Sequence, residues 1–277
     1  MNKKIRSGVL FLLLSVFLPK AMNAAVLTIR FYGGGTYLQG GDLNSGMKGW
    51  ADYYKALYRT YGYPQQSGSF APVHLGFEAG GDIIFHLTTR LGIGLGGEYL
   101  KATKTSTLAF QSTSSNFTMT FIGEPSAIPA KLSLFYFLPL GKRVTVSLHA
   151  GAGYYSAKAR LIARTNFDYI IDSSAKGIGY HGGLGLEWKL FSKFYFLIEG
   201  AARYAVLSGF EGKVTMVGLG GWNGKLYYWG ATASFLDKFN YIDLLGGAPG
   251  GTAIAFVREA KIDFSGFSLR AGFVIKL

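Results

Sequence analysis

Residues 73–87 constrain the fold more than any other part of the chain. The odd positions, Val73, Leu75, Phe77, Ala79, Gly81, Ile83, Phe85 and Leu87, are apolar or glycine, whereas the even ones include His74, Glu78, Asp82 and His86. A period of two over that length predicts a β-strand with one oily face and one charged face. The alternation returns at residues 27–37, 91–99, 128–138, 144–154, 178–190, 194–204 and 267–277. A soluble sheet would have to cover every one of those oily faces with a second layer.

Three regularities point to lipid as the cover. Most oily faces run for about ten residues, which at roughly 3.3 Å per residue and a tilt near 40° makes a band of about 25 Å, the height of an outer-membrane slab. One end of the band carries Tyr37, Tyr99, Tyr154, Tyr180, Tyr204 and Phe267, a girdle of the kind found at membrane interfaces. Connections between strands alternate short and long, as expected of periplasmic turns and extracellular loops. Only 16% of residues are charged, and 40 of 277 are glycine. After the N-terminus no apolar run is long enough for a spanning helix. The expectation is an all-β chain: one eight-stranded antiparallel transmembrane β-barrel over residues 25–277, with long extracellular loops, in a bacterial outer membrane.

Residues 1–24 have the layout of a signal peptide, with basic Lys3, Lys4 and Arg6, an apolar run over 9–18 and small residues near 21–25. Removing that segment, with Lys20, lowers the formal charge from +13 to +9. The remaining basic bias suits anionic lipid better than nucleic acid, which is not expected as a partner. The chain has no cysteine, so disulfides, thiolate metal sites and cysteine nucleophiles are excluded.

The pattern resembles small outer-membrane barrel proteins, the class containing the OmpA transmembrane domain, OmpX and OmpW. The likeness is architectural and covers nearly all of residues 25–277. One local motif adds to it. Arg270, Gly272, Ile275 and Leu277 are spaced like the C-terminal signal read by the barrel-assembly machinery, although that signal usually ends in an aromatic residue rather than leucine. The resemblance implies outer-membrane lipid, lipopolysaccharide and the assembly machinery as partners. OmpW-like behaviour would make the chain a narrow channel for small or hydrophobic solutes. Some barrels of this environment modify lipid A.

With the oily faces outward, Arg30, Glu78, Asp82, Glu98, Lys131, Glu187, Lys189, Glu199, Arg203, Arg270 and Lys276 face inward, as do His74, His86, His149 and His181. Eight strands enclose only enough space for side chains. Unpaired charge there is costly, so acids and bases are expected to pair into a filled lumen. Residues four apart on a strand lie about 13 Å apart, too far to share one metal ion. Hydrogen-bonded structural histidines explain the four better, and neither metal nor cofactor is expected. Ser147 and His149 share an inward face, but no acid partner or nucleophile elbow accompanies them, so no enzyme is expected.

Residues 47–61 show Trp50, Tyr53, Tyr54, Leu57 and Tyr61 at helical spacing, predicting a short amphipathic helix packed among the loops. The longest excursion, residues 207–261, holds glycine-rich turns and the aromatics Trp222 and Trp229. Together with Trp50 and Tyr54 these are the candidate contacts for an extracellular ligand. The function expected is that of a monomeric, structural or surface-interaction protein acting through its loops. From the facing of residues 183 and 184, Leu184→Arg should be costly and Gly183→Ser mild.

Overall fold

A computed structural model describes residues 27–113, 115–165 and 167–277, so the signal peptide expected over residues 1–24 lies outside the described residues. The chain opens with β1 (Leu27–Leu38), helix α1 (Asp42–Thr60), β2 (Gln65–Gly68), β3 (Leu75–His86), β4 (Leu91–Ala102) and β5 (Lys104–Gln111). It continues through β6 (Asn116–Leu140), β7 (Val144–Arg164), β8 (Asp168–Phe191), β9 (Phe194–Tyr204) and β10 (Val206–Leu207). The last elements are β11 (Glu211–Met216), β12 (Gly220–Ala233), β13 (Leu236–Leu245), β14 (Ile254–Glu259), β15 (Ile262–Asp263) and β16 (Gly266–Lys276).

Eight strands pair antiparallel in a closed ring, in the order β1, β3, β4, β6, β7, β8, β9, β16 and back to β1. Closure leaves the ring no free edge. β16 seals it, with Leu269 opposite Gly35 on one side and Gly200 on the other. Strict alternation decides which face each side chain takes. Ile128, Leu132, Leu148, Leu184, Leu186 and Leu269 of the ring strands point outward and are exposed, while Arg30, Lys131, Glu187, Glu199 and Arg270 of the same ring point inward and are buried.

β6, β7 and β8 run well past the oily band. On their outward faces the band stops at one height. Apolar residues give way to Ser126 and Glu124 on β6, to Ser156, Lys158 and Arg160 on β7, and to Lys176, Ser174 and Asp172 on β8. The aromatic pairs Tyr37–Phe267 and Tyr180–Tyr204 lie near that boundary. β6 carries Pro125 and Pro129, which cannot donate to a neighbouring strand. Both sit where pairing on the β4–β5 side lapses: the β4 register skips Ile128 and Pro129, and no residue of β4 or β5 pairs with Glu124 or Pro125.

Above the band, β5 and β11–β14 extend the ring strands into a folded crown around α1. The helix buries Leu43, Met47, Trp50 and Ala51 against Leu100, Phe121, Leu161, Leu226 and Ile242, an apolar core closing the upper end of the ring. Its approach to β13 depends on Gly49, where a Cβ would lie 1.5 Å from the carbonyl oxygen of Asn240. Asp42 at its start takes a bidentate pair from Arg258 and a hydrogen bond from the Lys261 backbone at 2.7 Å. The helix spans Asp42–Thr60, five residues earlier at its start than expected from the aromatic spacing.

The long connections after β4 and β7 are built as β-hairpins that prolong the strands above the band. Below the band the connections are short, as expected: residues 87–90, 141–143 and 192–193. Among the described residues no helix is long and apolar enough to cross a membrane.

Candidate functional site

The inward charges of the ring join into one continuous chain of ion pairs. At the end away from the crown, Lys276 Nζ lies 2.8 Å from Glu187 and Arg30 reaches the same carboxylate at 3.9 Å. Arg30 Nη2 also donates to Glu199 at 2.8 Å and to Ser147 Oγ at 3.2 Å. Arg270 holds the other oxygen of Glu199 through Nε at 2.7 Å and through Nη2. Its Nη1 reaches Glu78 at 3.4 Å and Glu98 at 3.3 Å.

From there the network branches. Arg203 donates to Glu78 at 2.7 Å, to Thr36 Oγ1, and to the Phe264 carbonyl at 2.9 Å. Lys131 lies 2.7 Å from Glu98 and 3.8 Å from Asp82. Tyr32 knits the branches together: its hydroxyl accepts from Lys131 at 2.6 Å, and its ring lies 3.9 Å beneath the Arg270 guanidinium.

Ten of the eleven charged residues assigned inward from the sequence are therefore joined in one network. Five acids (Glu78, Asp82, Glu98, Glu187, Glu199) face five bases (Arg30, Lys131, Arg203, Arg270, Lys276), so the formal charges cancel. Lys189, assigned inward by alternation, is half-buried and has no ion pair among the described residues. Apart from Lys276, none of the ten is more than 9% exposed. Charges in so narrow a space repay desolvation only when paired and hydrogen-bonded, and that requirement organises the interior.

The histidines divide. His86 is hydrogen-bonded to Thr28 at 2.9 Å and His181 to Ser133 at 2.7 Å, while His149 Nδ1 lies 3.6 Å from Glu199. The rings of His149 and His181 are 6.0 Å apart, because the β7–β8 register sets them diagonally.

His74 is a correction. It precedes β3, and its ring stacks on the outward Tyr37 at 4.9 Å while Nδ1 donates to the Leu38 carbonyl at 2.7 Å. The neighbouring Val73 is pulled into the crown, its backbone bracketed by Asn44 at 2.8 and 3.0 Å. The alternation thus holds only from Leu75, and His74 stands with the rim aromatics.

Ser147 and His149 do have an acid nearby in Glu199, a partner that lies 50 residues further along the chain. Ser147 is 0% exposed, its Oγ accepts from Arg30, and Glu199 is already held by two arginines. No substrate can reach that oxygen in this arrangement. Among the described residues no group of three or more histidine and acidic side chains is placed to hold a metal ion.

The motif residues at the chain's end lie on or just beyond β16. Arg270 sits in the network, Gly272 lies flush against β1, Ile275 pairs with Ile29, and the Leu277 amide donates to the Leu27 carbonyl at 2.8 Å.

The four loop aromatics come together in the crown. Trp50, Tyr54 and Trp222 line one cavity, and Trp229 lies 5.1 Å from Tyr241, which lines it as well. Sequence reasoning missed Tyr32 and, in the crown, Asp243. Its signal was present in β13, where Tyr241 and Asp243 alternate with the buried Ile242 and Leu244.

No protein-family model and no curated protein matches the chain. Among solved structures it is similar to the outer membrane protein OprG from Pseudomonas aeruginosa, at 12% identity and a TM-score of 0.40, over 92% of this chain and 96% of that one.

Proposed function

We propose that the chain is an integral β-barrel of a bacterial outer membrane, closed by its own charges, serving a non-enzymatic structural or surface-interaction role through its crown. The observation that carries this reading is the filled interior. The ion network occupies the ring and the α1 core caps it, which leaves no reason to assign a conducting path. The outward belt supports the placement, since so large a continuous apolar surface needs lipid to cover it. Lys158, Arg160 and Lys176, exposed just above the belt, suit the phosphates of lipopolysaccharide. The spacing of Arg270, Gly272, Ile275 and Leu277 suits recognition by the assembly machinery.

Planar-bilayer recording on the purified full chain tests the closed interior. The expected trace shows no reproducible unitary conductance. Steady single-channel steps of one size would contradict the reading and favour a narrow channel for small solutes.

A further inference from the structure

The crown contains a cavity of about 300 Å³ whose walls come from six different elements, α1, β6, β7, β8, β12 and β13. Trp50 and Tyr54 face it from α1, Tyr169 from β8, Trp222 from β12, and Tyr241 and Asp243 from β13. The rings form a box: Trp50 stands 6.0 Å from Tyr169 at 75° and 5.9 Å from Tyr241, and Tyr169 lies 6.3 Å from Trp222. Its volume is at the lower end of the range for small-molecule sites, about 300–1,000 Å³.

Two polar groups of the box are not used up by the protein. Asp243 receives the Tyr169 hydroxyl at 2.5 Å and the Leu244 amide at 2.7 Å, and both end on Oδ1. Among the described residues Oδ2 has no donor and the carboxylate takes part in no ion pair. Trp50 Nε1 is buried beside the cavity without an acceptor. No lysine or arginine lines the cavity. A buried carboxylate ordinarily finds a cation, and aromatic faces attract one through their quadrupole.

We propose that this box is a binding site for a small protonated amine with an apolar or aromatic body. The ammonium sits against Oδ2 of Asp243 and donates to it, and the body fills the space between Trp50, Tyr169, Trp222 and Tyr241. The titratable groups facing Asp243 are phenols: Tyr54 from α1, Tyr169 from β8, Tyr227 opposite it on β12, and Tyr241 on its own strand. A phenol supplies no cation, so none of them takes the place of the ammonium. Burial pushes the Asp243 carboxyl up to about 6, against the lowering effect of its hydrogen bonds from Tyr169 and Leu244. The cation needs the ionised form, so affinity rises as pH increases through that value.

The test is calorimetric titration of the full chain in detergent micelles with 2-phenylethylammonium, and with neutral 2-phenylethanol as the matched probe. The expected result is saturable 1:1 binding of the amine, with the alcohol at least tenfold weaker. Asp243→Asn should lower amine affinity at least tenfold and leave the alcohol unchanged. On the unaltered protein, affinity should fall about tenfold from pH 7.5 to pH 5, which keeps the test decisive if the variant misfolds. No saturable binding at millimolar amine, equal affinity for the two probes, or affinity independent of pH would overturn the proposal. The result is independent of whether the ring conducts.

Discussion

Replacing Arg270 by methionine is expected to destabilise the folded chain by about 3–5 kcal/mol, the cost of leaving buried charge uncompensated. Arg270 is the hub of the interior, within 3.4 Å of Glu78, Glu98 and Glu199 and stacked on Tyr32. Each of those acids keeps one other lysine or arginine: Arg203 for Glu78, Lys131 for Glu98 and Arg30 for Glu199. The loss therefore shows as one surplus negative charge spread over the network. Denaturant unfolding in lipid vesicles measures it. The double variant Arg270→Met, Glu199→Gln restores neutrality and should recover part of the loss, because residues of one network couple. A single-variant cost below about 1 kcal/mol would mean that the interior charges are solvated and do not depend on each other.

Leu184→Arg should cost about 2–4 kcal/mol in a bilayer, because it places a charge within the apolar belt of β8. Ser174→Arg, on the same strand and the same outward face but above the boundary, should stay within about 0.5 kcal/mol. Leu184 is 57% exposed, so no neighbouring side chain stands in the way and the cost comes from the surroundings. Equal effects at the two positions would remove the boundary from the account. The inward control expected from sequence, Gly183→Ser, is not mild. A Cβ at Gly183 would lie 2.5 Å from Cε1 of His149 and 3.0 Å from the Gly200 carbonyl oxygen, so the serine collides with a buried ring and a neighbouring strand.

That collision shows where the sequence stops being informative. Facing was legible wherever oily and charged residues alternate, so the ring strands and the composition of the interior network could be read from the chain. The full set of partners of Arg270 could not, because only register decides that Glu98 and Glu199, from two further strands, meet it beside Glu78. The crown halves of β6, β7 and β8 were hidden for another reason. Outside the belt their outward residues turn to Ser, Thr, Lys and Arg, while small residues such as Ala157 and Ala159 face inward, so the oily contrast fades. Pro125 and Pro129 further disguised β6, and a lapse in cross-strand pairing is what accommodates them. His74 was misplaced because Asn44, on a distant helix, breaks the alternation one residue before β3. Asp243 was overlooked because its alternation with Ile242 and Leu244 gives only its facing, and not the aromatic surroundings that make a lone acid in a long excursion stand out.

Spin-label accessibility tests the central claim most directly, and the absence of native cysteine allows labels to be placed one at a time. Nitroxides at Leu184→Cys and Leu186→Cys in lipid vesicles should be reached readily by oxygen and shielded from a water-soluble nickel chelate, with the opposite ranking at Ser174→Cys. Nickel access at 184 and 186 as great as at 174 would contradict an outward face embedded in lipid.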